Sequence, residues 1–126
     1  MGTRLRPYTL ERPKCLIEIN GKSLLDYQIE ILRSFGIQDI IIVGGYKAEM
    51  LEGKADRIYI NKNFENTNMV WTLFEVKNEL KGDVIISYGD IVYSPQILDN
   101  LLKSNFQISV AIDKLWEEYW RGRFQD

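Results

Sequence analysis

The sequence predicts an α/β fold in which a mostly parallel sheet carries helices on both faces. Two observations support this prediction. The segment 39–43 (Asp-Ile-Ile-Ile-Val) is apolar after its first residue and 84–86 is apolar throughout, and such continuous apolar runs are typical of strands that are covered on both sides. Segments with helical spacing of apolar residues separate the apolar runs, and strands that alternate with helices indicate a parallel sheet.

The first third of the chain predicts a short strand, a helix and a buried strand. The strand covers 15–19 and ends at a turn. The helix has Ser23 at the N-cap position and Gly36 just past its C-terminus. The buried strand over 39–43 follows. The helix has one broad apolar face, formed by Leu24, Leu25, Tyr27, Ile29, Ile31, Leu32 and Phe35.

The rest of the chain continues the alternation, and Pro95 marks a first helical position because proline is favoured there. Trp71 lies in the middle of a predicted helix, where we expect it to be part of the core. The predicted elements after the buried strand are a short helix over 47–53, a strand over 57–60, a helix over about 68–80, the strand over 84–86, a helix from Ser94-Pro95 and a strand over 107–112.

Composition excludes several classes of chemistry. The chain has 126 residues, of which 45% are hydrophobic and 27% charged, as is typical of one globular domain, and we expect a single partial domain over 1–126. It contains no histidine, so imidazole acid-base catalysis and His-ligated zinc are excluded. Carboxylates, lysines, arginines and hydroxyls remain, and Mg²⁺ is the metal ion that suits such groups.

Charge and hydropathy narrow the partners and the location. The net charge of −2 gives no electrostatic reason to expect nucleic acid or an anionic membrane as a partner. No apolar run reaches the length of about 18 residues that a membrane-spanning helix needs. Cys15, the single cysteine, cannot form an internal disulfide, which fits a reducing compartment. We therefore expect a cytoplasmic protein.

Ligands of parallel α/β sheets bind beyond the carboxyl ends of the strands. Two predicted strand ends carry suitable residues, namely Gly44-Gly45-Tyr46 and Gly89-Asp90. The N-terminal segment 2–14 adds a glycine, a hydroxyl and several cations, which can bind phosphate groups. Physical reasoning alone leaves two alternatives for that segment, a phosphate-binding loop or a solvated basic N-terminus.

The order of these residues resembles a known signature. Gly-Thr-Arg-Leu-Arg-Pro-Tyr-Thr over 2–9, followed by Pro-Lys-Cys-Leu-Ile-Glu-Ile-Asn-Gly-Lys-Ser-Leu-Leu over 13–25, resembles the loop of sugar-phosphate and choline-phosphate nucleotidyltransferases. The resemblance is strongest to the choline-phosphate cytidylyltransferase branch. It implies a Rossmann-like three-layer sandwich and an enzyme that transfers a nucleoside monophosphate, CMP from CTP by preference, to a phosphorylated acceptor such as phosphocholine.

The same resemblance implies roles for individual residues. Gly2 and Thr3 would belong to the loop around the triphosphate of the NTP, and Arg4 would bind its β- and γ-phosphates. Lys14 would stabilise charge at the reacting α-phosphate. Asp90, which follows the predicted strand over 84–86, would hold Mg²⁺, although an aspartate after glycine is also common in turns.

Four further residues are candidates for ligand binding. Gly45 and Asn68 match segments that contact the nucleotide in the family. Trp116 and Trp120 lie four residues apart in a tail that also contains Glu117 and Glu118. Aromatic rings with carboxylates can form a cage for the quaternary ammonium of an acceptor. The alternative for this pair is ordinary packing of one face of a helix.

The resemblance also implies parts that this sequence lacks. Family members begin with an apolar strand before the Gly-Thr-Arg motif, so we expect the first strand of the sheet to be missing. A second metal-binding aspartate and much of the acceptor site would follow residue 126. We therefore expect a fragment with exposed apolar surface and a tendency to form a homo-oligomer. Two alternatives to cytidylyl transfer are a sugar-1-phosphate nucleotidyltransferase and a non-catalytic nucleotide-binding or regulatory fragment.

Overall fold

The protein is represented by a computed structural model that describes Leu5 and residues 7–122. The chain divides into two compact units, Met1–Tyr93 and Ser94–Asp126. That the whole chain forms a single partial domain stays a prediction.

The first unit contains the two small sheets and two of the helices. It also contains two short 3-10 turns, Lys14–Leu16 near its beginning and Ala48–Leu51 near its middle. Its regular elements are β1 (Glu18–Ile19), β2 (Lys22–Ser23), α1 (Leu24–Ser34), β3 (Ile41–Gly44), β4 (Arg57–Ile60) and α2 (Met69–Phe74).

A tight hairpin takes the place of the single strand predicted over 15–19. Only Glu18 and Ile19 are extended, and they pair antiparallel with Ser23 and Lys22. Asn20 and Gly21 both have positive φ, at 54° and 77°, as a two-residue hairpin turn of type I′ requires. The residues before the hairpin curl into the 3-10 turn because the carbonyls of Pro13 and Lys14 accept hydrogen bonds from residues three positions ahead.

Helix α1 begins and ends where the sequence predicts. The Ser23 hydroxyl accepts a hydrogen bond from the Asp26 N–H at 3.1 Å, which satisfies one free donor of the first turn. The Asp26 carboxylate also contacts Lys54 Nζ at 2.9 Å. Gly36, with φ of +80°, follows the helix in the left-handed conformation that glycine adopts without strain. Both predicted boundaries of the helix are confirmed.

The parallel pair β3 and β4 forms the second sheet, in which Ile41 pairs with Arg57 and Gly44 with Ile60. The predicted strands over 39–43 and 57–60 are thereby confirmed, the first shifted by one or two residues. The core of this unit centres on Leu25, Ala48 and Leu51. Partly buried apolar residues pack against it, namely Cys15, Leu16, Ile29, Ile42 and Ile58.

Helix α2 is shorter than predicted. It ends at Phe74, and the chain continues to residue 79 through turns closed by i→i+3 hydrogen bonds, such as Val76 N–H to the Leu73 carbonyl. Trp71 is 63% exposed, so the prediction that it belongs to the core is wrong. Val76, which follows the helix, is buried in its place at 5% exposure.

The predicted strands over 84–86 and 107–112 are absent from the described residues. Both segments lack a ladder of backbone hydrogen bonds, because no described strand lies alongside them. Their apolar side chains are accordingly exposed, Ile86 by 63% and Ile108 by 85%. The prediction of a parallel pairing is confirmed for β3 and β4, whereas the described residues form two two-stranded sheets and no three-layer sandwich.

The second unit contains α3 (Pro95–Leu102) and α4 (Trp116–Arg121). Helix α3 begins at Pro95 after Ser94, as predicted, and its Leu98 is buried. Between the helices, the hydroxyls of Ser104 and Ser109 lie 2.6 Å apart. In the described part of the chain, no helix combines the length and apolar character needed to cross a bilayer.

Asp56 connects α1, β3 and β4. Its carboxylate accepts hydrogen bonds from the Ile40 N–H at 2.8 Å and from Arg33 Nη2 at 2.7 Å. The Ile40 hydrogen bond and the guanidinium lower the pKa of Asp56. A carboxylate with a lowered pKa stabilises the fold at neutral pH, and this contribution disappears as pH falls below the ordinary value of about 4 towards the lowered pKa.

We predict that Asp56→Asn lowers the urea midpoint of unfolding at pH 7. It should also weaken the loss of stability as pH falls below about 4, since the carboxylate responsible is gone. Equilibrium unfolding in urea across this pH range measures both effects. Asp83→Asn, at an exposed carboxylate, is the control. Equal pH dependence in wild type and Asp56→Asn would contradict this role.

Candidate active site

The structure brings together two of the predicted site residues that are 76 positions apart in sequence. Lys14 Nζ donates a hydrogen bond to Asp90 Oδ2 at 2.5 Å. Both side chains remain partly accessible, with 40% and 34% of their surfaces exposed. A ligand could therefore reach this ammonium and carboxylate from solvent.

Backbone packing fixes the approach of the two segments. Lys14 lies in the 3-10 turn that follows Pro13, and Asp90 lies in the turn after Gly89. A Cβ added at Gly89 would be 3.3 Å from the Cβ of Cys15, so the two backbone segments are in close contact beside the ion pair. Glycine at 89 permits that approach.

Cys15 lies beside the pair but is poorly suited to nucleophilic chemistry. Burial raises the pKa of its thiol, a backbone hydrogen bond opposes this, and the charges of Asp90 and Asp26 add to the increase. The thiolate is the reactive form of cysteine, and a raised pKa reduces its population at neutral pH. The arrangement therefore provides charges for binding rather than a covalent nucleophile.

Gln28 of α1 holds the turn that carries Asp90. Its amide Nε2 donates to the carbonyls of Tyr88 at 2.8 Å and Ile91 at 2.7 Å, and its Oε1 accepts from the Ser87 hydroxyl at 2.8 Å. Sequence reasoning did not identify Gln28 as a site residue. The available signal was a glutamine on the apolar face of α1, four residues after Leu24 and three after Leu25.

Gly45 follows β3, at the strand end that the sequence predicts to bind nucleotide. It packs against Phe64, since a Cβ at Gly45 would be 2.5 Å from Phe64 Cβ. The next residue, Tyr46, stacks edge-on against Phe64 and donates from its hydroxyl to the Leu10 carbonyl at 2.8 Å. Gly45 and Tyr46 therefore connect the N-terminal segment to the end of β3.

Asn68 is the N-cap of α2. Its Oδ1 accepts hydrogen bonds from the backbone N–H groups of Val70 and Trp71, at 3.0 and 3.2 Å. The preceding loop is held by Asn61, which is 1% exposed and donates to the hydroxyls of Thr67 and Thr72. The structure thus gives Asn68 a structural role, and its contact with a nucleotide stays a prediction.

The remaining predicted site residues do not add to this geometry. Gly2, Thr3 and Arg4 lie outside the described residues. Trp116 and Trp120 belong to α4 of the second unit, with 54% and 43% of their surfaces exposed. They share one helical face, as predicted, and the acceptor cage stays a prediction.

Asp90, the carboxylate paired with Lys14, is the predicted ligand of a metal ion. In residues 7–122 no group of three or more acidic or cysteine side chains is placed to enclose a cation. Mg²⁺ in phosphoryl-transfer sites is commonly held by one or two carboxylates, with water and substrate phosphates as the other ligands. The carboxylate of Asp90 fits that pattern.

Comparison with known proteins assigns the family. Residues 1–114 match the MobA-like NTP transferase domain. This chain belongs to that family. The resemblance to nucleotidyltransferases in the N-terminal motif is thereby confirmed, and membership implies a Rossmann-like fold, of which the parallel β3–β4 pair and α1 are the part described.

Curated relatives of this NTP transferase domain include two cytidylyltransferases. The chain is 38% identical over 134 residues to CTP:phosphoglutamine cytidylyltransferase of Campylobacter jejuni, an alignment covering 98% of this chain and 53% of the relative. It is 34% identical over 110 residues to choline-phosphate cytidylyltransferase of Streptococcus pneumoniae, covering 84% and 48%.

More distant relatives of this NTP transferase domain act on sugar phosphates by name. UTP–glucose-1-phosphate uridylyltransferase of Haloferax volcanii is 28% identical over 104 residues, covering 78% of this chain and 43% of the relative. The chain spans about half the length of the two cytidylyltransferases that it matches. No solved structure matches it significantly.

We predict that Gly45→Ala destabilises the first unit by about 1–3 kcal/mol, the usual cost of forcing extra atoms into a packed site. The added Cβ would overlap Phe64 Cβ, which cannot rotate away. Thermal unfolding measures the loss. Gly122→Ala is the control, because among the described residues its Cβ would have no neighbour nearer than 3.7 Å. Wild-type stability in Gly45→Ala would contradict the close packing.

Proposed function

We propose that the protein containing this chain is a cytidylyltransferase, which transfers CMP from CTP to a small phosphorylated acceptor and releases pyrophosphate. Membership of the NTP transferase family supports nucleotidyl transfer. The two cytidylyltransferase relatives support CTP as the donor. The observation that carries the proposal is the contact of Lys14 with Asp90, an ammonium and a carboxylate at one accessible point of the structure.

The reaction needs charge stabilisation more than covalent chemistry. A phosphate oxygen of the acceptor attacks the α-phosphorus of CTP, a new P–O bond forms, and the bond from the α-phosphorus to the bridging oxygen breaks. The electron pair of that bond leaves on pyrophosphate. Negative charge grows on the phosphoryl oxygens, and a positioned lysine ammonium stabilises it. Lys14 would provide this charge without any need for histidine.

Asp90 would hold Mg²⁺, the second component of the proposed site. The bound ion would neutralise phosphate charge and orient the triphosphate. In the described structure the Asp90 carboxylate is paired with Lys14. The Lys14 ammonium therefore lies next to the proposed metal ligand, near the place where phosphate groups would bind, and it partly compensates the carboxylate charge.

Other residues would bind the nucleotide. Gly2, Thr3 and Arg4 are proposed to contact the triphosphate, consistent with the family motif. Tyr46 supports this by tying the Leu10 carbonyl, just after that motif, to the end of β3. Asn68 uses its Oδ1 in the helix cap, so its Nδ2 would be the group available to donate to the cytosine oxygen or ring nitrogen.

The acceptor is proposed to be a small phosphorylated compound such as phosphocholine or phosphoglutamine. The first of the two follows from the choline-phosphate branch and the second from the Campylobacter relative. A cage of Trp116 and Trp120 would suit the quaternary ammonium of phosphocholine through cation–π attraction. Phosphoglutamine lacks such a group, so the tryptophans would matter for phosphocholine and not for phosphoglutamine.

The direct experiment measures pyrophosphate release with Mg²⁺, each of the four NTPs, and phosphocholine, phosphoglutamine or glucose 1-phosphate. The proposal predicts release that requires CTP and one of the first two acceptors. Release with UTP and glucose 1-phosphate instead would favour the sugar-phosphate alternative. CTP binding by calorimetry without release from any pair would favour the non-catalytic alternative for this chain.

Lys14→Ala should lower kcat by about 100-fold or more, the usual effect of removing a group that stabilises transition-state charge. Lys14→Arg keeps the charge but changes its geometry, and we expect an intermediate loss. Pyrophosphate release under saturating CTP measures both. Lys77→Ala, at an exposed lysine after α2, is the control. Undiminished release by Lys14→Ala would show that Lys14 has no catalytic role.

A further inference from the structure

Gln28 is a buried amide in a helix face that is otherwise apolar. It is 4% exposed, whereas the neighbouring positions on that face are leucines and an isoleucine. A buried amide stabilises a protein only when its donors and acceptor have partners, because their desolvation costs free energy. Gln28 meets this condition through three hydrogen bonds, all of them to residues of the segment 87–91.

These hydrogen bonds hold the backbone on both sides of Asp90. The two donations from Nε2 reach the Tyr88 carbonyl, two residues before Asp90, and the Ile91 carbonyl, one residue after it. The segment is otherwise exposed and has no strand partner among the described residues. Gln28 therefore substitutes for the missing backbone ladder and fixes the turn on both sides of the carboxylate.

A second contact places the same turn against Lys14. Gly89 packs on Cys15, and Cys15 follows Lys14 in the 3-10 turn. Movement of the turn would therefore change the distance between the ammonium and the carboxylate. A leucine or methionine at position 28 could fill the space, but it could not orient the carbonyls of Tyr88 and Ile91 by hydrogen bonds.

We propose that Gln28 is a positioning residue, which sets the place of the Asp90 carboxylate for divalent metal and for Lys14 without touching the substrate. The inference rests on the proposed function, because it assigns Asp90 to metal binding. Residues that orient a metal ligand without binding the metal typically change metal affinity by about 10- to 100-fold when they are removed. Gln28 should have an effect in this range.

The test compares Gln28→Met, which keeps the side-chain volume but removes all three hydrogen bonds, with two matched variants. Ser87→Ala removes the hydrogen bond to Gln28 Oε1, together with the other contacts of the Ser87 hydroxyl, and leaves both donations from Nε2. Ile40→Ala removes buried apolar surface just before β3, at a residue with no part in the Gln28 hydrogen bonds, and controls for loss of stability alone. All variants are made in the chain Met1–Asp126.

Two measurements separate positioning from general stability. Amide hydrogen exchange of the free protein over 84–93 reports the order of the turn. Titration of Mn²⁺ into the protein with CTP, followed by electron paramagnetic resonance of the free ion, reports the metal site without turnover. A CTP-only titration gives the Mn²⁺ binding of the nucleotide itself, and this is subtracted.

We expect Gln28→Met to exchange faster over 84–93 and to bind Mn²⁺ with CTP about tenfold more weakly or worse. Ser87→Ala and Ile40→Ala should stay within about threefold of wild type, since neither removes the Nε2 donations.

Two results would overturn the inference. Equal Mn²⁺ affinity of wild type and Gln28→Met, or equal losses in Gln28→Met and Ile40→Ala, would refute positioning while leaving the proposed function intact. Failure of the wild-type chain to bind Mn²⁺ with CTP would contradict the proposed function itself and the metal role of Asp90 with it.

Discussion

The candidate site depends on the close approach of two backbone segments that lie far apart in sequence. The 3-10 turn with Lys14 and the turn with Asp90 meet where Cys15 packs on Gly89. A Cβ at position 89 would lie 3.3 Å from the Cβ of Cys15, so the two segments would have to move slightly apart beside the ion pair. The geometry of the two charged groups is therefore set by packing and backbone hydrogen bonds, and their attraction follows from that placement. Exposed ion pairs by themselves contribute too little free energy to impose such a geometry.

Buried and exposed polar groups of this fold have different chemical types. The two most enclosed side-chain amides among the described residues, Gln28 and Asn61, are uncharged, and each makes several hydrogen bonds that tie a loop or turn to a helix. The carboxylates of Asp26 and Asp56, which connect helix and strand ends, remain about one-third or more exposed. Burial of a charge costs far more than burial of an amide, which explains this division. Loops around the candidate site can therefore be held from inside without adding a buried charge next to Lys14 and Asp90.

Local signals in the sequence predict much of this structure. Ser23, Gly36 and the apolar spacing between them define α1 because caps and periodicity act within a few residues. The strands over 84–86 and 107–112 were predicted by the same reasoning and are absent, because a strand requires a neighbour and sequence pattern does not supply one. Trp71 was placed in the core by its helical position, yet exposure depends on what covers the helix. The pairing of Lys14 with Asp90 was not predicted, because the family motif implies a separate role for each residue and no local pattern connects positions 14 and 90.

Gln28 shows why some positioning residues escape sequence reasoning. A single glutamine on an apolar helix face has an ordinary interpretation as a polar residue near the surface. Its significance appears only when the helix is placed against the segment 87–91, where its Nε2 and Oε1 make three hydrogen bonds. The position of the helix is fixed by the core around Leu25 and Leu51. Leu25 lies on the same helix, about one turn before Gln28. The apolar core thus determines the position of α1, α1 determines the position of the Gln28 amide, and the amide determines the turn that presents Asp90. Substitutions in the core would therefore change the position of the Asp90 turn by moving α1, and a larger movement of α1 would have a larger effect.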